Sequence, residues 1–499
     1  MVDCAAGHSA YGGGMIRSLS LLLLLLSATL AGCSDGVDNE RVRVDVIEDR
    51  PRPFNVSATP LPLASAYLRA ATAQGLVTFD EKGRVAPGLA NRWIVTEDGM
   101  SYIFRLNKAR WNDGREVESR EVARLLTARI RELSKGRLGH ELGVIDRVVA
   151  MTGKVVEIRL KAPMPYLLEL LALPEFGMLS KGAGSGPMQA KKFGQAMQLR
   201  RNETDDEGAQ FLGGATVTLR RGEASLVLAR YALGRSDLVE GGRFESFPLL
   251  DAAQIRADEI QFDAVPGLFG LQVVNDGPFL SETANRAAIA MAIDRPKLLT
   301  AFDIVAWRET VTLVPESLPN RANITRPAWA APSMEERRSM AAATVANWKN
   351  ANGGAIRPLR VALPRGYGSR IFFARLRADL ATVGIDIERV TMDRPHDLLL
   401  VDRTAEQSSP AWYLDQLSCK FATICSMRSD EIVAEARLTN DMAIRAILLG
   451  EAEAELQSTV AFIPIANPLR WSIVRPGLLG HFANGRGWHL LQNLGRDPT

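Results

Sequence analysis

The chain has 499 residues, 46% hydrophobic and 23% charged, which is ample apolar material for several cores and excludes a disordered chain. Sixty Lys and Arg against 57 Asp and Glu leave a net charge of +3 with no basic run, too diffuse to mark a nucleic-acid-binding surface. Five histidines, none in His-Glu-x-x-His or at paired ligand spacing, argue against a metallohydrolase; no Walker loop occurs, and Ala183 and Pro187 replace the outer glycines that a Gly-x-Ser-x-Gly elbow would need around Ser185.

In chain order, the first informative segment begins at Met15. Arg17 precedes a 13-residue apolar stretch, Leu19 to Ala31, and small residues then lead to Cys33. That is a secretory signal in charge, length and exit, and it falls short of the ~20 residues needed to span a bilayer. Leu30-Ala31-Gly32-Cys33 resembles the lipobox of bacterial lipoproteins, which implies acylation of the Cys33 thiol and attachment to a membrane. Residues 1–14, with Asp3 and Cys4 ahead of the basic region, read as an upstream start, so Met15 is the expected initiator and 1–32 the signal peptide. Residues 33–64 are charged and punctuated by Pro51, Pro53, Pro60 and Pro62, and are expected to form a tether and an extended lead-in. Export also places Cys419 and Cys425, with five residues between them, in an oxidising compartment. A local disulfide is expected there, with two free buried thiols as the alternative; no Cys-x-x-Cys spacing or nearby His supports a redox or metal pair.

Beyond residue 65 the pattern is globular. Tyr102, Phe104 and Leu106 alternate as in a strand, and Ser119 is the expected cap of a helix carrying Val122, Leu126, Ile130 and Leu133 on one face. Val156, Ile158 and Leu160 predict another strand. Lys181 to Pro187 loosens into a boundary, and Arg200 to Gly208 into a polar surface loop. Asn275 to Phe302 reads as a helix pair, the first capped by Ser281 and the second restarted by Asp294 and Pro296. Ser333 to Glu336 is a capping box. Leu359–Leu363, a helix closed by Gly384, and a strand from Ile385 to Val390 predict one β-α-β unit. Interleaved strands and helices indicate a mixed α/β chain, at this length of roughly three domains.

From Gly75 onward the sequence resembles the family 5 extracellular solute-binding proteins, the receptors of peptide- and nickel-type ABC importers. The motifs that carry the likeness are Gly83-x-Val85-x-Pro87-x-Leu89-Ala90-x-x-Trp93, the Asp98 to Leu106 strand, Trp111-x-Asp113-Gly114, Gly184-Ser185-Gly186-Pro187, Ala292 to Arg295, and Phe462 to Ile465. Each residue taken singly is an ordinary turn or core position; their order from Gly75 to Gly480 is what identifies the fold. The usual Leu-Asp-Pro motif ahead of the first domain is missing, and Leu199 to Ala264 is abbreviated.

The resemblance implies a class II two-lobed clamp of the periplasmic-binding-protein type with an accessory domain. The expected division is 65–75, 182–268 and 470–499 for lobe I, 76–181 for the accessory domain and 269–469 for lobe II. It implies a monomeric, lipid-anchored, periplasmic receptor that hands a peptide or peptide-like solute to permease and ATPase subunits of an ABC importer, with no enzymatic activity, cofactor or metal. In peptide-binding relatives an acid in a Trp-x-Ala-Asp-x-x-x-Pro stretch pairs with the ligand's α-amino group. Setting Pro410 on that proline places Ala405 on the alanine and Glu406 on the acid, although Arg403 stands in place of the tryptophan and Leu400 at a position that is basic in some peptide receptors. The candidate ligand contacts are therefore Glu406, Arg403, Trp412 and Asn275, which resembles the asparagine ahead of Pro278-Phe279 at the lobe crossing. A solvated loop residue is the alternative for Glu406, and core packing the alternative for Trp412 and Tyr413. An orphan sensor on the same fold and an exported lipoprotein hydrolase are the other two functional readings.

Overall fold

The computed structural model describes residues 41–204, 210–305, 307–319, 321, 322 and 326–496. Cys33 and the signal segment lie outside them. Among the described residues no helix is long and apolar enough to cross a membrane.

The strand Arg41–Ile47 alternates as Val42, Val44 and Val46, all fully buried, and takes the centre of a seven-stranded sheet. It runs parallel to both neighbours, Gln210–Gly222 and Leu238–Gly242. This corrects the expected tether and extended lead-in of residues 33–64 over Arg41–Ile47, while residues 33–40 lie outside the described residues. The segment looked like linker because it is rich in charge, but its buried Asp45 is neutralised by Arg220 and by Arg230 at 2.8 Å, residues far along the chain.

A second sheet of five strands has the order 387–391, 359–363, 398–404, 267–273, 462–466. Leu359–Leu363 and Ile387–Thr391 pair in parallel across the helix Tyr367–Ala381, as expected for a β-α-β unit. A third, four-stranded antiparallel sheet (90–95, 101–106, 155–160, 145–151) packs with the helix Ser119–Leu133 around Phe104, Trp111 and Ile158.

The first two sheets are joined by a ribbon of two crossing strands. Ile260–Asp263 and Arg470–Val474 pair antiparallel in the seven-stranded sheet; their continuations, Gly267–Val273 and Phe462–Ala466, pair antiparallel in the five-stranded one. Residues 264–266 and 467–469 are thus the links about which one sheet can turn on the other.

Local signals were read with mixed success. Asp294 caps its helix by accepting from Lys297 N, and the Ser333–Glu336 capping box is complete. Ser119 and Ser281 are not caps: Ser119 is the first helical residue and donates to Gly153 O, while Ser281 donates to Pro278 O. The motif Gly184 to Pro187 has a steric cause, since a Cβ on Gly186 would lie 2.3 Å from the Thr72 carbonyl carbon. Cys419 and Cys425 are disulfide-bonded, with Cα atoms 5.2 Å apart.

Candidate functional site: the cleft between two sheets

Three adjoining cavities of about 360, 440 and 350 Å³ lie where the seven-stranded sheet meets the five-stranded one, the first lined from the seven-stranded side and the other two from both. Arg243 lines all three, Glu245 the first two, and Asp402 the last two. The walls come from both sheets. Asp49 and Arg50 follow the central strand and Arg243 and Glu245 follow Leu238–Gly242, while Asp402 to Thr404 end a strand of the second sheet. Arg470 opens the strand after the second crossing and binds Asp402 at 2.8 Å, so one ion pair spans the seam. Gly242 is needed at this junction, because a Cβ there would lie 2.0 Å from the Trp471 ring.

The electrostatics of the cleft are unbalanced in an informative way. Asp402 Oδ2 and Glu245 Oε2 are buried and make no hydrogen bond. Burial pushes the Glu245 carboxyl up to about 7, against the opposing pull of Arg243 and with Asp402 adding to the rise. Around these acids stand Arg50, Arg243, Arg365 and Arg470, and in the third cavity Arg403 and Arg486. Both signs of charge are therefore presented to the same space, which suits a small zwitterion whose own charges are desolvated on enclosure.

The residues expected from sequence fall in three places. Arg403 lines the third cavity and donates to Gln416; its pKa is lowered to about 10, first by burial and then by Arg137. Glu406 lies outside the three cavities, its carboxylate accepting from the Trp412 indole and its pKa raised by burial. Trp412 and Tyr413 are fully buried in the short helix Pro410–Asp415, which Ser409 caps. Both rings pack the core, the alternative reading for them. Asn275 follows Val273, at the opposite end of the strand whose Gly267 and Leu268 pair with Thr404 and Arg403. Seven residues of strand separate the two by about 23 Å. Asn275 donates to Asp397 at 2.7 Å and accepts from Gly277 N at 3.0 Å, holding backbone rather than facing the cleft. Asp402 lines the cleft and pairs with Arg470.

Arg243, Glu245 and Arg470 carry no sequence motif; the one signal near them is Gly241-Gly242 after an apolar strand.

The loop after Thr404 also meets the four-stranded domain. Gln407 donates to Glu141 at 3.2 Å, Ser408 N to Glu169 at 2.9 Å, and Arg486 bridges Glu169 at 2.7 Å and the Glu406 carbonyl at 3.2 Å. Glu141 is 1% exposed, and burial followed by repulsion from Asp415 pushes its carboxyl up to about 8. A folded-state pKa above the unfolded value of about 4.3 means that the folded chain binds the proton more tightly. Stability from this group is complete below about pH 4 and is lost as pH rises through 8. Glu141→Gln is expected to stabilise the protein by about 4–5 kcal/mol at pH 8 and by nothing at pH 4, measured by urea unfolding at both values.

Comparison with known proteins agrees with this geometry. The family described as bacterial extracellular solute-binding proteins, family 5 middle, matches residues 84–420. The periplasmic oligopeptide-binding protein OppA of Escherichia coli K12 is 21% identical over 463 residues, covering 82% of this chain and 84% of that protein. The structure of the E. coli murein tripeptide binding protein MppA superposes with a TM-score of 0.77 at 15% identity, over 92% of this chain and 99% of that one. The unliganded open form of MppA gives 0.66 at 16% identity, over 92% of this chain and 98% of that one.

Proposed function

The chain belongs to the bacterial extracellular solute-binding proteins of family 5, and from that membership we propose that it captures a peptide or peptide-like solute between its lobes and delivers it to an ABC permease. The observation that carries this reading is a cleft whose walls come from both lobes and offer unpaired carboxylate oxygens beside several arginines. Relatives named for oligopeptide and murein-tripeptide binding support the ligand class. Ligand that touches both walls binds the closed form better than the open one, and that difference drives closure. No covalent step is needed.

In this reading the protein is exported, held at a membrane through acylated Cys33, and works in the periplasm as a monomer beside permease and ATPase subunits. The ligand's ammonium meets Asp402 and Glu245, the acids open to the cavities, while Glu406 stands behind Arg403 and Trp412 and shapes the field. The ligand's carboxylate meets Arg243 and its neighbours.

The test is native mass spectrometry of protein purified from its own host, followed by calorimetry with the peptide that is released. Glu245→Gln is expected to weaken binding by about 10–100-fold, as loss of a desolvated charge pair does, and Glu406→Gln by less than about threefold. Because Glu245 is neutral below its pKa of about 7, wild-type affinity falls as pH drops below 7, by up to about tenfold per unit. A larger loss for Glu406→Gln would move the ammonium to Glu406. Recovery of a sugar or another solute without an amine would refute the peptide reading.

A further inference from the structure

The C-terminal segment brings His481 and His489 against Glu240 of the strand Leu238–Gly242, with all three residues at least nine-tenths buried. The two rings overlap, centroids 3.9 Å apart. Their outer nitrogens face acceptors: His481 Nδ1 lies 2.9 Å from Gln261 Oε1, and His489 Nε2 lies 3.5 Å from Asp263 Oδ1. A ring nitrogen that faces an oxygen acceptor keeps its proton, which leaves the inner nitrogen of a neutral imidazole as a lone pair. Both inner nitrogens point at one carboxylate. His481 Nε2 is 3.1 Å and His489 Nδ1 3.0 Å from Glu240 Oε1. The other carboxylate oxygen takes hydrogen bonds from Tyr67 at 3.1 Å and Ser472 at 3.2 Å, and His489 Nδ1 lies 3.1 Å from it as well.

Two ring nitrogens thus stand about 3 Å from one carboxylate oxygen in a buried space, all three atoms within 4.8 Å of one another, which is repulsive unless a cation sits among them or the rings take extra protons. We propose that Glu240, His481 and His489 form a site for a divalent transition-metal cation of the zinc type. Ligand atoms around a tetrahedral zinc at about 2.0–2.1 Å stand about 3.3 Å apart, close to the separations here. His481 has the outer hydrogen-bond acceptor that metal-bound imidazoles use to fix their tautomer, and His489 faces Asp263 at 3.5 Å without a hydrogen bond. Two nitrogens and one carboxylate oxygen select zinc, nickel or copper over magnesium or calcium. Tyr67, Glu240 and Asp263 also line the third cavity, so the cluster borders the cleft.

The test uses the whole exported chain, stripped with a chelator and titrated at pH 7.5 with Zn²⁺ by calorimetry and with Co²⁺ by visible absorption. One equivalent is expected to bind, with the intense visible bands of tetrahedral Co²⁺ and a higher thermal midpoint. His481→Gln and Glu240→Gln are expected to lose affinity by about 100-fold or more and to lose the bands. Should those buried variants fail to fold, nitrogen-15 spectra of histidine-labelled wild type report the same point, since Zn²⁺ must shift His481 Nε2 and His489 Nδ1 only. Failure of the wild type to bind Zn²⁺, or spectra showing both nitrogens of His489 protonated with Zn²⁺ present, would overturn the site in favour of an imidazolium–carboxylate cluster.

Discussion

Replacing Phe244 by alanine is expected to destabilise the protein by about 3–5 kcal/mol, the cost of emptying an aromatic-sized core position. Phe244 follows the strand Leu238–Gly242 of one lobe yet is fully buried among residues of the other. Its ring meets Phe269 edge-on at 5.1 Å, Phe372 at 6.0 Å and Phe302 at 6.3 Å. The backbone is held as well, because Gly368 N donates to Glu245 O at 3.0 Å. Truncation leaves a void at the seam itself, so its effect reaches beyond stability. Trp307, which packs on Phe269 at 5.2 Å, becomes hydrated, and its fluorescence is expected to shift to the red in step with a larger radius of gyration. Urea unfolding, fluorescence and small-angle scattering on the one variant check all three effects. A stability loss under 1 kcal/mol would show that the lobes do not share this core.

Asp402→Asn is expected to cost about 3 kcal/mol, since removing one partner of a buried charge pair leaves the other desolvated and alone. The side chains of Asp402 and Arg470 are 8% and 13% exposed, and Arg243 faces the same carboxylate. Without that charge Arg243 and Arg470, neighbours on the seven-stranded sheet, lose the carboxylate that the other lobe brings to them, and the closed arrangement suffers more than the open one. Ligand affinity therefore falls together with stability. Replacing both partners by apolar residues of similar size, Asp402→Leu with Arg470→Met, is expected to recover most of the stability, as buried pairs exchanged for hydrophobic contacts do, but none of the affinity. Equal loss in the single and double variants would place the pair outside the lobe contact.

Much of the fold was legible because its signals are local or ordered along the chain. The β-α-β unit around Tyr367–Ala381 declared itself by alternating strands and by Gly384, whose φ of +77° a side chain would strain. The string of turns and tryptophans from Gly83 to Gly114 identified the family although each residue alone is unremarkable. The strand Arg41–Ile47 was missed because the cations that neutralise Asp45 arrive from Arg220 and Arg230. Ser119 and Ser281 suit a cap by type, but each found a carbonyl to donate to instead.

The site was less legible for the same reason. Glu245, Asp402 and Arg470 are widely spaced in the chain and meet only when two crossing strands bring two sheets together. His481 and His489 stand at no ligand spacing along the chain and acquire meaning only beside Glu240. Arg403 alone among the expected contacts lines a cleft cavity, since it ends a strand at the crossing.

The central claim is that two lobes close on a peptide-like ligand. Small-angle scattering tests it most directly, on protein stripped of ligand by unfolding and refolding, then mixed with an equimolar pool of tripeptides. The radius of gyration is expected to fall on addition of the pool, with one peptide per chain retained in native mass spectra and the fall abolished in Glu245→Gln. An unchanged radius with no peptide retained would contradict the account.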